Sequence, residues 1–314
     1  MKGFLYQIAE ELERAYGNDM SPVTVIFPNQ RAGLYLRQIL KDRSDKPVWA
    51  PDIVSFREFV QRESRFTVPD TLYLTYELFE VYRNQLPGLE SFEDFYFWGQ
   101  MLLRDFDELD KYLVPAKHIY RDLSRQKELD ITFDFLTEEQ KALIQEFWSG
   151  FADRHSESKE QFLQVWNRLY EIYEAFQEQL HNDGYAYEGM LYRDLAESID
   201  THEWKQLNTS VWFAGFNALT KSEEVIMRHV MSENDHSRIF WDADAYYVED
   251  HRQEAGNFFR LYRRDSLFSK TFSKVLPDNL RSEQKEVEIV GVPQYVGQAK
   301  ICSEYLRKFL EANR

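Results

Sequence analysis

The chain has 314 residues, and its 54 acidic side chains outnumber its 38 lysines and arginines, which gives a formal net charge of −16. This balance disfavours a non-specific grip on DNA, because such binding draws its affinity largely from the neutralisation of phosphates. The single cysteine, Cys302, excludes an internal disulfide and is typical of a protein from a reducing compartment.

The N-terminal residues predict a helix rather than a targeting segment. Acidic residues lie where a signal peptide has its apolar centre. Apolar side chains recur there at helical spacing, at Phe4, Ile8, Leu12 and Tyr16. No apolar run in the sequence approaches the ~20 residues that span a bilayer. We therefore expect a cytoplasmic protein that makes no membrane contact.

The next segments alternate strand and helix. The apolar, β-branched run Val23–Phe27 predicts a buried strand. Pro28 ends it, and a helical pattern follows over Ala32–Leu40. Trp49–Val54 predicts a second, weaker strand, and Ser55 lies where the N-cap of another helix is expected. This alternation over residues 1–68 is typical of a parallel α/β sheet.

Residues 69–204 show no strand pattern. Their apolar spacing predicts helices at 70–85, 91–112, 115–125, 137–151, 159–182 and 187–199. Thr137 and Gln140 have the spacing of a capping box at the start of one of them. A block of ~130 residues is near the usual size of a domain. We therefore expect an all-helical subdomain inserted into the α/β domain.

Strand patterns return after residue 204. Ser210–Phe213 and Arg238–Trp241 are short apolar runs, with an amphipathic helix predicted over Ser222–Met231 between them. We expect residues 205–285 to complete the sheet begun by residues 1–68. A last strand, Val287–Val292, leads into a helix predicted over Val296–Leu310. This strand–helix unit needs a further strand, so residues 286–314 are expected to begin a domain that is cut short.

The motifs of nucleotide binding and nuclease catalysis are missing or misplaced. A phosphate-binding loop requires Gly-x4-Gly-Lys-Ser/Thr, and no glycine here precedes a lysine. Pro277-Asp278 with Glu283 and Lys285 matches the letters of a restriction-type nuclease site, but the spacing is too short for two strands to reach one metal. We therefore expect no cofactor and no catalytic site in this chain.

Asp242 and Asp244 offer an alternative function. Two carboxylates at the end of a predicted strand can hold Mg²⁺ or Mn²⁺, as in metal-dependent nucleotide-sugar transferases and phosphatases. The phosphatase pattern requires Thr or Val at position 246, which is Tyr246. The structural alternative is that Asp242 ends the strand and caps the following turn. The histidines show no metal-ligand spacing, and no nucleophile elbow is present.

Several segments resemble one known family, in the family's order. The first two are VTVIFPNQRAGLYLRQIL (23–40) and PVWAPDIVSFREFV (47–60). The others are FEDFYFWGQMLLRDFDELDKYL (92–113), FDFLTEEQK (133–141), AYEGMLYRDL (186–195), WFAGFNALTKSEE (212–224), FWDADAYY (240–247) and EAGNFFR (254–260). The chain resembles the N-terminal, inactivated superfamily 1 helicase-like segment of AddB-like PD-(D/E)XK nuclease family proteins of the Bacteroidetes type. The joint order carries this resemblance, since no single segment is a catalytic signature.

The resemblance implies a P-loop-helicase-like sheet domain, without a Walker A motif, interrupted by the helical subdomain. Val23–Arg31 resembles helicase motif Ia and Ile53–Phe56 resembles motif Ib, whose loops contact single-stranded DNA in active helicases. Trp212–Phe216 falls where an active helicase carries the Asp-Glu pair for Mg-ATP. Ala214 and Gly215 cannot replace those carboxylates, so the resemblance implies a segment that does not hydrolyse ATP.

The resemblance also implies partners. The family's nuclease domain lies downstream, beyond residue 314, and residues 286–314 would open a second helicase-like domain. An AddA-like helicase subunit would complete a complex for DNA end processing in recombinational repair. The expected role of this segment is to scaffold that complex and to guide single-stranded DNA weakly. The expected DNA contacts are Asn29, Gln30, Arg31, Ser55 and Arg57, although Asn29 can equally close a turn and Ser55 can equally cap a helix.

Overall fold

A computed structural model describes residues 3–44, 46–86, 91–117, 119–120, 157–204, 210–282 and 287–312. The strands are β1 Val23–Phe27, β2 Asp52–Ser55, β3 Ser210–Ala214 and β4 Arg238–Phe240. They form a four-stranded sheet in the order β2–β1–β3–β4, and each neighbouring pair is parallel. The fold is therefore α/β, and the predicted parallel sheet, built from both ends of the sequence, is confirmed.

Helices connect these strands. Their bounds are α1 Phe4–Tyr16, α2 Gln30–Arg43, α3 Phe56–Glu63, α4 Thr71–Gln85, α5 Phe92–Lys111, α6 Glu157–Asn182, α7 Glu188–Glu197, α8 Lys221–Glu233, α9 Ala245–Val248, α10 Asn257–Tyr262, α11 Asn279–Ser282 and α12 Gln294–Ala312. No helix within the described ranges is long and apolar enough to cross a membrane. The predicted helix 137–151, its cap at Thr137 and most of the predicted helix 115–125 lie outside the described residues.

The central strands are apolar because helices cover the sheet. Every residue of β1 and of β3 is buried, which is the pattern of strands covered on both faces. On one face, α1 and α2 place Ile8, Leu12, Leu36 and Leu40 in a core with Val25 and Trp212. The second strand begins at Asp52 rather than at Trp49, which forms only an isolated bridge and is 74% exposed.

The order of the strands creates a switch point in the sheet. The chain leaves β1 through α2 to form β2 on one side, then returns after α7 to form β3 on the other side of β1. In register, Phe27 pairs with Ser55, and Ile26 pairs with Phe213. The chain segments that follow β1, β2 and β3 therefore leave the sheet at the same edge.

A buried carboxylate joins three helices between β2 and β3. Asp110, near the end of α5, is fully buried and accepts hydrogen bonds from the hydroxyls of Tyr173 and Tyr187. Gln177 Nε2 and Arg193 Nε donate to the same carboxylate, at 2.9 and 2.7 Å. Burial raises the pKa of Asp110 above its ordinary value, and these donors offset part of that rise. The network connects α5 to α6 and α7, because each helix contributes one or two of its groups.

The chain divides into two compact units. The first contains Met1–Asp242 and Asn257–Lys274, and the second contains Ala243–Gly256 and Val275–Arg314. In the second unit the predicted strand Val287–Val292 is wrong, since residues 287–292 pair with no strand in the described part of the chain. Val287 and Ile289 are 76% and 91% exposed. Apolar, β-branched residues alone do not make a strand, because a strand needs a neighbour for its backbone hydrogen bonds.

The close approach of α7 to α5 gives a test of the packing. A Cβ atom at Gly189 would lie 2.2 Å from the backbone oxygen of Asp107, so Gly189→Ala forces the two helices apart. We expect a loss of about 1–3 kcal/mol in the free energy of unfolding, the usual cost of overpacking. Urea denaturation measures it. The control is Gly291→Ala, where a Cβ atom would meet nothing within 4 Å. Equal stabilities of the two variants would contradict this close packing.

Candidate functional site

The carboxyl ends of the strands meet at the switch point between β1 and β3. Open α/β sheets bind ligands in the crevice at such a position. Phe27 ends β1 beside Ser55 of β2, and Ala214 ends β3 beside Phe240 of β4. The segments expected to contact DNA, which follow β1 and β2, therefore lie side by side.

A cleft of about 460 Å³ lies at this edge. It lies between the first turn of α1, the start of α2 and the ends of β1 and β3, and its walls are mainly apolar. The residues that shape it include Phe4, Tyr6, Pro28, Tyr35 and Gly215, together with the acidic Asp242, which follows β4. Gly215 has a φ of 75°, a left-handed conformation that side chains other than glycine rarely adopt. The end of β3 therefore turns away without placing a side chain in the cleft.

Asn29 and Ser55 each cap the helix that follows them. The Asn29 side chain accepts hydrogen bonds from the backbone N–H groups of Arg31 and Ala32, at 3.1 and 3.3 Å. The Ser55 hydroxyl accepts from the backbone N–H of Glu58, and the Glu58 carboxylate accepts from the backbone N–H of Ser55, at 3.3 and 2.7 Å. The predicted N-cap at Ser55 is thus confirmed. Both side chains order the chain at this edge.

Gln30 and Glu58 connect α2 to α3. Gln30 Nε2 donates to Glu58 Oε1 at 2.8 Å. The backbone N–H of Ser55 holds the pKa of Glu58 below its ordinary value, with a further contribution from the Gln30 amide. Glu58 is therefore a carboxylate at neutral pH, and its negative charge lies beside the residues expected to contact phosphate.

Arg31 and Arg57 differ in their electrostatic surroundings. Arg57 Nε lies 3.3 Å from Glu188 Oε2, and Glu188 Oε1 lies 3.0 Å from Lys111 Nζ. Arg57 is thus part of a chain of ion pairs, although 55% of its side chain is exposed. Arg31 is exposed in the first turn of α2, and its guanidinium has no hydrogen-bond or ion-pair partner within the ranges that the structure describes. Of the two, Arg31 has the guanidinium that is available to a ligand.

The end of β3 carries no carboxylate. Ala214 is buried, and the backbone N–H of Gly215 donates to the carbonyl oxygen of Phe240 at 3.0 Å. The acidic pair that would hold Mg-ATP in a motor enzyme has no counterpart at these two positions. Phe56, which follows Ser55, is 1% exposed and packs against Phe213, so it is a core residue.

Asp244 has a structural role. Its Oδ1 accepts from the backbone N–H of Tyr246 at 2.8 Å, and its Oδ2 accepts from those of Asn279 and Leu280 at 2.8 and 3.2 Å. Both oxygens are thus engaged by backbone N–H groups, and Asp244 is 7% exposed. Asp244 is the N-cap of the following helix α9, whereas Asp242 lies between that cap and the end of β4 at Phe240. Across the described residues, no group of three or more His, Cys, Asp or Glu side chains is placed to hold a metal ion.

Sequence reasoning missed the aromatic walls of the cleft. Tyr35 is 56% exposed and Leu34 is 61% exposed, and both lie in α2. The buried residues of α2 are Gly33, Leu36 and Leu40. Leu34 and Tyr35 lie outside that buried face, and this position on the helix is the feature of the sequence that indicates their exposure.

No protein-family model and no curated protein matches this sequence.

The capping box gives a pH-dependent test at this edge. Because the folded pKa of Glu58 is lowered, its stabilising contribution is present above the unfolded value of ~4.3 and is lost as pH falls through the folded pKa. At pH 7, Glu58→Gln should lower the free energy of unfolding by about 0.3–1 kcal/mol. The difference from wild type should shrink at pH 3, as measured by urea denaturation.

The control is Glu108→Gln, which removes an exposed carboxylate from α5. It should leave stability nearly unchanged at both pH values. A Glu58→Gln effect of the same size at pH 7 and pH 3 would show that its carboxylate charge does not stabilise the start of α3.

Proposed function

We propose that this chain is a non-catalytic, helicase-like segment of a DNA end-processing helicase–nuclease used in recombinational repair. Its role is to scaffold the assembly and to guide single-stranded DNA across the carboxyl edge of its sheet. The proposal includes a P-loop-like domain, an inserted helical subdomain between β2 and β3, a downstream nuclease domain and a helicase partner subunit. The resemblance to AddB-like proteins supports these parts.

The observation that carries the DNA-guiding role is the position of Arg31. Its guanidinium is exposed at the switch point of a parallel sheet and has no partner among the described residues. Backbone N–H groups at the start of α2 add positive potential, because the N-terminus of a helix favours anions. Lysines and arginines that are free of carboxylates are the groups that bind phosphates.

The surrounding charge argues for weak binding. Glu58 and Glu188 lie near the same edge, and the chain carries a net charge of −16. Affinity for a single strand is therefore expected at the ~10⁻⁴–10⁻⁶ M of non-specific complexes. Such affinity suits a segment that guides a strand held elsewhere in an assembly.

The absence of a motor supports the non-catalytic role. The sequence has no lysine-bearing phosphate loop, and Ala214 and Gly215 stand at the end of β3. We do not propose the metal-dependent transferase or phosphatase, because both oxygens of Asp244 already accept hydrogen bonds from backbone N–H groups.

The DNA contact is tested by a salt titration of binding to oligo(dT), followed by fluorescence anisotropy. Arg31→Ala should weaken binding and flatten the log–log salt slope by about 0.7, the contribution of one phosphate on a single strand. Arg57→Ala should have a smaller effect, because Glu188 already neutralises that guanidinium. Arg104→Ala removes an exposed arginine of α5 as a charge-matched control. If Arg31→Ala and Arg104→Ala behave alike, Arg31 does not contact phosphate.

The expected lack of ATP binding and hydrolysis is tested with ATP itself. We expect no heat of ATP binding in calorimetry and no release of phosphate in the presence of Mg²⁺ and single-stranded DNA, since the sequence has no lysine-bearing phosphate loop and Ala214 and Gly215 carry no carboxylate. An ATPase activity that a substitution within this chain abolishes would contradict the proposal.

A further inference from the structure

The cleft at the switch point has exposed aromatic walls. Tyr6 of α1 and Tyr35 of α2 both line it, and they are 43% and 56% exposed. The cleft volume of about 460 Å³ lies within the range of about 300–1,000 Å³ typical of small-molecule sites. Its apolar lining suits a flat, weakly polar group that enters edge-on or stacks on a ring.

Tyr35 and Arg31 share one face of α2. They are four residues apart, so their Cβ atoms lie about 5–6 Å from each other on the helix surface. Tyr35 lines the cleft, and Arg31 lies one turn closer to the start of the helix. A ring available for stacking and a guanidinium without a partner in the described ranges are therefore neighbours.

Gly215 lines the cleft and contributes no side chain to it. A Cβ atom there would lie 3.5 Å from the ring of Phe4 and 4.0 Å from the ring of Phe27. The left-handed φ of Gly215 also disfavours other residues.

We propose that this cleft binds one nucleobase of a single strand, stacked on Tyr35, while Arg31 holds an adjacent phosphate. This inference rests on the proposed function. It adds that the cleft binds a base of the DNA strand. Single-strand-binding proteins combine cationic groups for the backbone with aromatic rings for the bases. An apolar peptide would fill the cleft without using the charge of Arg31, so the pairing of ring and cation favours a nucleotide.

The test compares two ligands of equal charge. One is oligo(dT) of roughly 10 nucleotides, within the usual site size of single-strand-binding folds, and the other is the same backbone without bases. The full chain should bind oligo(dT) more tightly than the abasic strand. Tyr35→Ala should weaken oligo(dT) binding about 5- to 100-fold, the effect of losing one stacked base. It should change neither abasic binding nor the salt slope.

Two further variants separate stacking from structure. Tyr35→Phe keeps the ring and should bind like the wild type. Leu34→Ala removes an exposed neighbour on α2 that does not line the cleft, and it should have no effect. Because Tyr35 is more than half exposed, Tyr35→Ala should unfold at the same urea concentration as the wild type.

The outcomes distinguish this inference from the function on which it rests. If Arg31→Ala weakens binding but Tyr35→Ala does not, the strand is held by its phosphates alone and the base site is overturned. Equal affinities for oligo(dT) and the abasic strand would also overturn it. If neither oligonucleotide binds, both the base site and the proposed DNA-guiding role are wrong. If an apolar peptide binds in the cleft and oligo(dT) binding is unchanged, the cleft is the site of a protein partner instead.

Discussion

The pairing of β1 with β3 is the constraint on which the rest of the structure depends. Val23 aligns with Ser210 and Ile26 with Phe213, so strands from the two ends of the sequence lie side by side. Closing so long a loop costs entropy, but that cost grows only with the logarithm of loop length. Burial of every residue in both strands offsets it. The pairing also creates the switch point at which the cleft opens.

Side-chain networks connect the helices between β2 and β3 to one another and to α8. Glu188 of α7 lies between Arg57 of α3 and Lys111 of α5, and Ser222 of α8 donates to the carbonyl oxygen of Lys111 at 2.8 Å. The carboxylates and cations that lie in this network are neutralised there. Arg31 lies outside it, because α2 packs its opposite face on the sheet through Gly33, Leu36 and Leu40. The same packing that buries one face of α2 therefore leaves a cation and a ring exposed on the other.

Under the proposed function, the distribution of charge makes the interaction with single-stranded DNA weak and local. The excess of acidic residues repels a polyanion such as DNA. At an ionic strength of 0.1 M, salt screens this repulsion at distances beyond about 10 Å. The guanidinium of Arg31, which has no partner among the described residues, can then act at short range beside the aromatic wall. In the proposed function, such binding depends on a strand that another part of the assembly delivers.

Local signals in the sequence were enough to predict the main elements. The apolar run Val23–Phe27 became a buried strand, because continuous β-branched residues suit a strand covered on both faces. The strand at 210–213 and the cap at Ser55 were also predicted, because N-cap side chains and apolar runs act within a few residues. The strand predicted over residues 287–292 failed, since a strand depends on a partner that local composition does not reveal.

The candidate site could be predicted only in part. Sequence placed Asn29 and Arg31 after a strand, but it could not show that Asn29 is engaged in capping or that Arg57 is paired with Glu188. It assigned the cap near β4 to Asp242, whereas the backbone N–H groups of α9 and α11 converge on Asp244. The sequence by itself determined the buried strands at 23–27 and 210–213 and the start of α3 at Ser55, because those preferences are set by neighbours along the chain.

Only the tertiary structure decided what meets at the cleft. Phe4, Tyr35 and Gly215 are distant in sequence, and they come together because β1 pairs with β3 while α1 and α2 pack on one face of the sheet. Whether an apolar residue of a helix is buried depends on which face the sheet covers, and that is a property of packing between elements. The exposure of Tyr35 and its place on the wall of the cleft are therefore properties of the fold.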